Sequence, residues 1–273
     1  MTIPNHSCVR LHYERQGRGL PVVLLHGYCG SSRYWREIVP ALSSRYDVIM
    51  PDLRGHGASP ATDEGYSMEQ LADDVAGLLD ELRLERVYLF GHSLGGYITL
   101  AFAERYADRL LGFGLVHSTS LPDTEAGREG RLKTIEQIRR EGVQAFVDGL
   151  IPKLFATEHR QKMAAKIEEA KAIGAGTSTQ GAIGCALGMR DRTDRTHVLV
   201  GTTLPVLLLA GAEDEIVAPD RRFPAAAPHI TALALPEVGH MGMMEAPEPF
   251  VSALLAFLDG NKDQSDAPTL GKS

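Results

Sequence analysis

The run Gly91-His92-Ser93-Leu94-Gly95 constrains this chain more than any other feature, because of what flanks it. Arg86 to Phe90 (RVYLF) reads as a buried strand, and Leu94 to Tyr106 reads as a helix. A G-x-S-x-G run at a strand-to-helix junction predicts a sharp turn that lifts the serine hydroxyl above the sheet edge, over a helix N-terminus. Gly91 and Gly95 suit that turn because side chains there would collide with the packed backbone.

The rest of the chain supplies a sheet for this turn. Val9 to Tyr13 reads as a first strand, and Val22 to Leu25 is a continuous apolar run, as expected of a strand covered on both faces. Trp35 to Leu42 reads as a short helix and Val48 to Met50 as a strand. Ser67-Met68-Glu69-Gln70 is a capping box, followed by apolar residues at Leu71, Val75, Leu78, Leu79 and Leu82. Further strands are expected at Leu110 to His117, Leu204 to Ala210 and Ile230 to Leu235, and a last helix from Pro247 to Leu258. Strands alternating with helices predict an α/β fold with a mostly parallel, doubly wound sheet of about eight strands.

The alternation lapses between Ser118 and Thr203. Helix-like runs occur there at 125–140, 143–150, 159–173 and 179–189, which predicts a helical cap over the carboxyl edge of the sheet. The division is therefore a core of residues 1–119 and 204–260, a cap of 120–203 and a polar, disordered tail at 261–273. Gly181, Gly184 and Gly188 in the last cap helix leave two readings open: a weakly held, mobile helix, or a helix packed closely on a neighbour.

A serine hydroxyl is a poor nucleophile until a base takes its proton, and an imidazole base needs an acid to fix its tautomer. The order serine, acid, histidine is met downstream. Asp214 follows the apolar strand ending at Ala210, and His240 follows the strand ending near Leu235. Glu213, Glu215 and Asp123 compete for the acid role. Among the ten histidines, His26 reads as a brace for the 26–30 loop and His56 as a turn residue. The amide N–H groups of Leu94 and Tyr28 are the expected oxyanion donors, each contributing about 3–4 kcal/mol in the transition state. His117, Leu150, Leu154, Phe155 and Met241 are the expected substrate-binding residues, with Ile151, Met243 and Met244 extending an adaptable apolar pocket.

The net charge of −7, without a Lys/Arg stripe, argues against nucleic acid as a partner. Cys8, Cys29 and Cys185 are scattered, which disfavours a disulfide framework or a zinc site. The first residues lack a basic region followed by an apolar core, and no apolar run reaches the ~18 residues of a membrane helix. A cytoplasmic location, no membrane partner, no cofactor, no metal and a monomer or homodimer are the resulting expectations.

The segments HGYCG (26–30), DLRGHGAS (52–59), GHSLGG (91–96), GAEDEIVAP (211–219) and GHMGMMEAPE (239–248) together resemble the α/β-hydrolase family with a cap domain, over residues 9–258. The resemblance implies Ser93 as nucleophile, Asp214 as acid, His240 as base, and Tyr28 and Leu94 at the oxyanion hole. Haloalkane dehalogenases and epoxide hydrolases of this fold carry aspartate where Ser93 stands, so serine disfavours both and leaves serine carboxylesterases, lactonases, lipase-like enzymes, C–C bond hydrolases and perhydrolases. HGYCG lacks the HGGG pattern of the hormone-sensitive-lipase-like branch and the HGSGPG-type loop of the C–C hydrolases. The expectation is a serine carboxylesterase on small esters. A perhydrolase, lactonase or lyase using the same triad, or a low-turnover ligand receptor, stands as the alternative.

Overall fold

The computed structural model describes residues 8–262. Seven strands form one sheet: β1 (Tyr13–Gly17), β2 (Pro21–Leu25), β3 (Asp47–Pro51), β4 (Val87–His92), β5 (Leu110–Val116), β6 (Val206–Gly211) and β7 (Ile230–Leu235). Their order is β1-β3-β2-β4-β5-β6-β7, and only β1 runs antiparallel to its neighbour. β3 to β6 are buried along their whole length, which is why they read as apolar runs rather than alternating ones. Ten helices accompany them: α1 (Val39–Ser43), α2 (Met68–Glu81), α3 (Leu94–Arg105), α4 (Glu125–Leu154), α5 (His159–Lys162), α6 (Ala164–Gly174), α7 (Thr179–Asp191), α8 (Thr196–Gly201), α9 (Gly242–Glu245) and α10 (Pro247–Gly260).

The first strand lies later than the sequence pattern suggests. Val9 and Leu11 are buried and alternate with exposed neighbours, the signature of a strand. Their stretch is instead held by side chains: the Val9 N–H donates to Asp74 on α2 at 2.8 Å, and the His12 N–H donates to Ser59 Oγ at 2.8 Å. Ladder pairing begins only at Tyr13 opposite Pro51. The capping box at Ser67 and Gln70 forms as expected and starts α2.

Helices α4 to α8 all fall between β5 and β6. The two runs expected at 125–140 and 143–150 are one long element broken at Gly142, whose φ of 85° only glycine adopts easily. The three glycines of α7 form a packing face. A Cβ at Gly181 would lie 2.4 Å from the Gly55 carbonyl oxygen, one at Gly184 would lie 2.2 Å from the Tyr66 ring, and one at Gly188 would lie 1.9 Å from the Tyr66 carbonyl oxygen. Gly188→Ala therefore sets a helix-propensity gain of about 1 kcal/mol against an overpacking cost of about 1–3 kcal/mol. The obstacle is backbone, which yields little, so overpacking prevails. Urea melts are expected to show a net loss of up to about 2 kcal/mol.

No helix among the described residues is long and apolar enough to cross a membrane. The tail expected at 261–273 lies outside the described residues from residue 263 onward.

Candidate functional site

Four neighbouring strands end on one edge of the sheet, and the registers His92 with Val116 and Gly211 with Leu235 align those ends. Residues just past them converge. Ser93 follows β4, His117 follows β5, Asp214 lies three residues past β6, and His240 lies five past β7.

Ser93 occupies a strained backbone geometry, φ 50° and ψ −112°, of the kind that costs on the order of 1–3 kcal/mol. Neighbours hold it there. Its N–H donates to the Val116 carbonyl at 2.9 Å, and its carbonyl accepts from the Ser118 hydroxyl at 2.7 Å and the Gly96 N–H at 2.9 Å. A Cβ on Gly91 would sit 2.0 Å from the Gly95 oxygen, so the turn closes only with glycine at that position. Ser93 is partly exposed, while Asp214 and His240 are buried. Its hydroxyl bonds to none of the described residues.

Asp214 Oδ2 accepts from His240 Nδ1 at 2.8 Å, and Oδ1 accepts the N–H groups of Ile216 and Val217 at 2.8 and 3.0 Å. Burial works to raise the Asp214 pKa, but the charges and hydrogen bonds of His240 and His117 outweigh it and hold the group well below the ordinary carboxylate range. In a neutral imidazole, the bond from Nδ1 to Asp214 fixes the tautomer whose Nε2 carries the lone pair. His240 is tied to the serine turn through His92, whose Nε2 donates to the His240 carbonyl at 2.8 Å. The His240 N–H donates to the Leu154 carbonyl at 2.7 Å, which anchors it to the end of α4.

The other acid candidates are placed elsewhere. Asp123 pairs with Arg131 and Arg192, Glu215 with Arg160, and Glu213 faces solvent. His117, Asp214 and His240 offer donor atoms within 4.8 Å of one another, the closest such trio among the described residues. The 2.8 Å contact between His240 and Asp214 fits a shared proton; a metal bound by both would hold them about 3 Å or more apart.

The 26–30 loop is braced by two neutral histidines. His26 Nδ1 lies 2.8 Å from the Gly27 carbonyl while its Nε2 accepts the Leu53 N–H at 2.9 Å. His56 Nδ1 lies 3.0 Å from the Arg54 carbonyl while its Nε2 accepts the Cys29 N–H at 3.3 Å. A ring nitrogen that accepts an N–H carries no proton, so both rings are neutral. His56 thus reaches well beyond its own turn. The Tyr28 hydroxyl donates to the Ala182 carbonyl on α7 at 2.7 Å, joining this loop to the insertion. Gly27 brings the loop to the serine: a Cβ there would lie 3.3 Å from Ser93 Cβ. Among the described residues, no acceptor takes the N–H of Tyr28 or of Leu94. Burial pushes the neighbouring Cys29 thiol up to about 12, so it stays protonated.

A cleft of about 480 Å³ is lined by Tyr97, Thr119, Asp123, Arg131, Arg192 and Val217 among others; Tyr97 lies one turn along α3 from Ser93, and the Val217 N–H donates to Asp214. None of the five expected substrate-binding residues lines it. His117 is fully buried, 3.6 Å from the Asp214 carboxylate and stacked on Phe250. Leu154, Phe155 and Met241 are buried behind His240, and Leu150 is half-buried on α4. Hydrophobicity marked these residues, but apolar side chains next to a catalytic segment are as readily core as pocket. The cleft walls include charged and hydroxyl side chains from separate segments, and no spacing in the sequence joins them.

A family model for the α/β-hydrolase fold matches residues 21–247. The acetyltransferase component of the acetoin cleaving system of Pseudomonas putida is 32% identical over 88% of this chain, which spans 64% of that protein. A protein of Variovorax paradoxus named for carbamate hydrolysis, RutD, is 32% identical over 91% of this chain and 96% of its own length. A thermophilic esterase from Thermogutta terrifontis, solved with malate bound, is 34% identical with a TM-score of 0.88, covering 92% of this chain and 93% of that one. The matched model, the single sheet with its serine turn and these likenesses agree on one family: this chain belongs to the α/β-hydrolase fold family.

Proposed function

We propose that this hydrolase cleaves small carboxylic esters through an acyl-enzyme, with Ser93 as nucleophile, His240 as base and Asp214 as its acid partner. The observation that carries this reading is the buried 2.8 Å bond from His240 Nδ1 to an ionised Asp214 at the strand edge that presents Ser93. His240 Nε2 takes the Ser93 proton as Oγ bonds to the ester carbonyl carbon. The carbonyl π pair moves onto its oxygen, which the N–H groups of Tyr28 and Leu94 receive. The tetrahedral centre collapses, the C–O bond to the alcohol breaks, and His240 protonates the departing alkoxide. Water, deprotonated by the same imidazole, then releases the carboxylic acid and restores Ser93. Helices α4 to α8 act as a cap that bounds the substrate, and the protein needs no cofactor.

Initial rates on 4-nitrophenyl esters from acetate to decanoate test the reading, and the chain-length optimum measures the acyl site. Hydrogen peroxide added as a competing acyl acceptor separates perhydrolysis from hydrolysis. Asp214→Asn keeps the shape but lets the imidazole take the wrong tautomer, so kcat is expected to fall by about 10⁴-fold. A fall under tenfold would assign the acid role elsewhere.

A further inference from the structure

The cleft between α3, the start of α4 and the loop after Asp214 carries an excess of positive charge in a chain of net charge −7. Its charged lining is Arg131, Arg192 and Arg221 against Asp123 alone. Asp123 cannot satisfy all three. Its Oδ1 takes Arg192 Nη1 at 2.7 Å and its Oδ2 takes Arg131 Nε at 3.0 Å. Arg192 is used up: it also donates to the Leu121 and Met189 carbonyls and stacks over the Tyr97 ring at 4.0 Å. Arg221 donates one Nη2 bond to the Pro122 carbonyl. The two Nη groups of Arg131 meet no acceptor among the described residues.

Arg131 is also well placed. It projects from the first half of α4, and its charge acts on both Tyr28 and Tyr97. Tyr28 lies in the loop against Ser93, and the Tyr97 N–H reaches the Ser93 carbonyl at 3.4 Å. A guanidinium whose Nε is fixed and whose outer edge is open, at the rim of a partly desolvated cleft, is built for an anion. Its planar fork matches a carboxylate in particular.

Building on the ester-hydrolase reading, we propose that the substrate carries a free carboxylate remote from the scissile bond, bound by the open edge of Arg131 with Arg221 reinforcing it. The substrate class is then monoesters of short dicarboxylic acids or close analogues. The already ionised Asp123 holds Arg131 in place, so the site is preformed rather than assembled by the ligand. The excess charge also draws anionic substrates toward a cleft on an otherwise acidic protein.

The test compares mono-4-nitrophenyl adipate with 4-nitrophenyl heptanoate, which match in length and differ in the terminal carboxylate, with uncatalysed rates subtracted. A charge-assisted pair at this site is expected to favour the adipate ester by about tenfold or more in kcat/KM. That ratio is expected to fall at least fivefold in Arg131→Met and to be partly kept in Arg131→Lys. Brisk heptanoate hydrolysis with a wild-type ratio at or below one overturns this proposal and leaves the hydrolase reading standing. An adipate preference that survives both Arg131→Met and Arg221→Met also overturns it. Failure of the wild type on both esters removes the ester-hydrolase reading and this proposal together. A wild-type ratio at or below one overturns the proposal even where a variant folds poorly.

Discussion

Replacing Ser93 by alanine is expected to lower kcat on 4-nitrophenyl butyrate by about 10⁴-fold or more, leaving only residual acceleration from binding and the oxyanion donors. On the proposed mechanism, loss of the nucleophile removes the covalent route, and neither His240 nor Asp214 compensates, because the three would act as a unit. The same substitution should stabilise the fold or leave it unchanged. The hydroxyl makes no bond to the described residues, and alanine demands no new space. The φ of 50° remains strained for either residue. Rates and urea melts on one preparation separate the two effects. A variant retaining more than a hundredth of the wild-type rate would show that these esters are cleaved elsewhere.

The fold itself is expected to fail in mild acid. His26, His56, His92 and His117 are buried, and each pKa is lowered, chiefly by burial. His56, further repelled by His26, is pushed down to about 3. In the unfolded chain a histidine titrates near 6.5. Between that value and the folded one the unfolded state binds more protons, so stability is complete above about pH 6.5 and drains away as pH falls. Each histidine contributes up to about 1.4 kcal/mol per pH unit within its window. His26, His92 and His117 act in the same direction as His56, against a total stability of about 5–15 kcal/mol for a typical domain. Urea midpoints should therefore drop steeply from pH 6.5 to pH 5, well above the carboxylate range. His56→Gln should flatten the slope by about one proton. A level midpoint down to pH 4.5 would refute the account. The link to function is direct. Protonated His26 or His56 loses the acceptor that holds Leu53 or Cys29, and with it the loop carrying Tyr28.

Particular residues show where sequence reading reached and where it stopped. The serine turn was legible because its constraint is local: glycine at Gly91 and Gly95, an apolar run before, a helix after. Chain order favours Asp214 over Asp123 as the acid; in the structure Asp214 bonds to His240, while Asp123 pairs with Arg131 and Arg192. The first strand was misplaced because alternation at Val9 and Leu11 records burial, not pairing; Asp74 and Ser59 take the backbone N–H groups that a neighbouring strand would have bonded. The α7 glycines were ambiguous because propensity sees only the helix, and Gly55 and Tyr66 on the core side decide that they pack.

The parallel α/β frame and the serine turn are legible from residues alone, because each depends on periodicity or on glycine at a tight turn, and order along the chain suffices to nominate the histidine and aspartate. What surrounds them is not. Arg131 is about 40 residues from Ser93 and Arg192 about 100, and they meet at one cleft because helices on either side of a long insertion fold back over the same sheet edge. Charge and shape in that cleft arise from residues with no common spacing, so they appear only when the chain is closed in three dimensions.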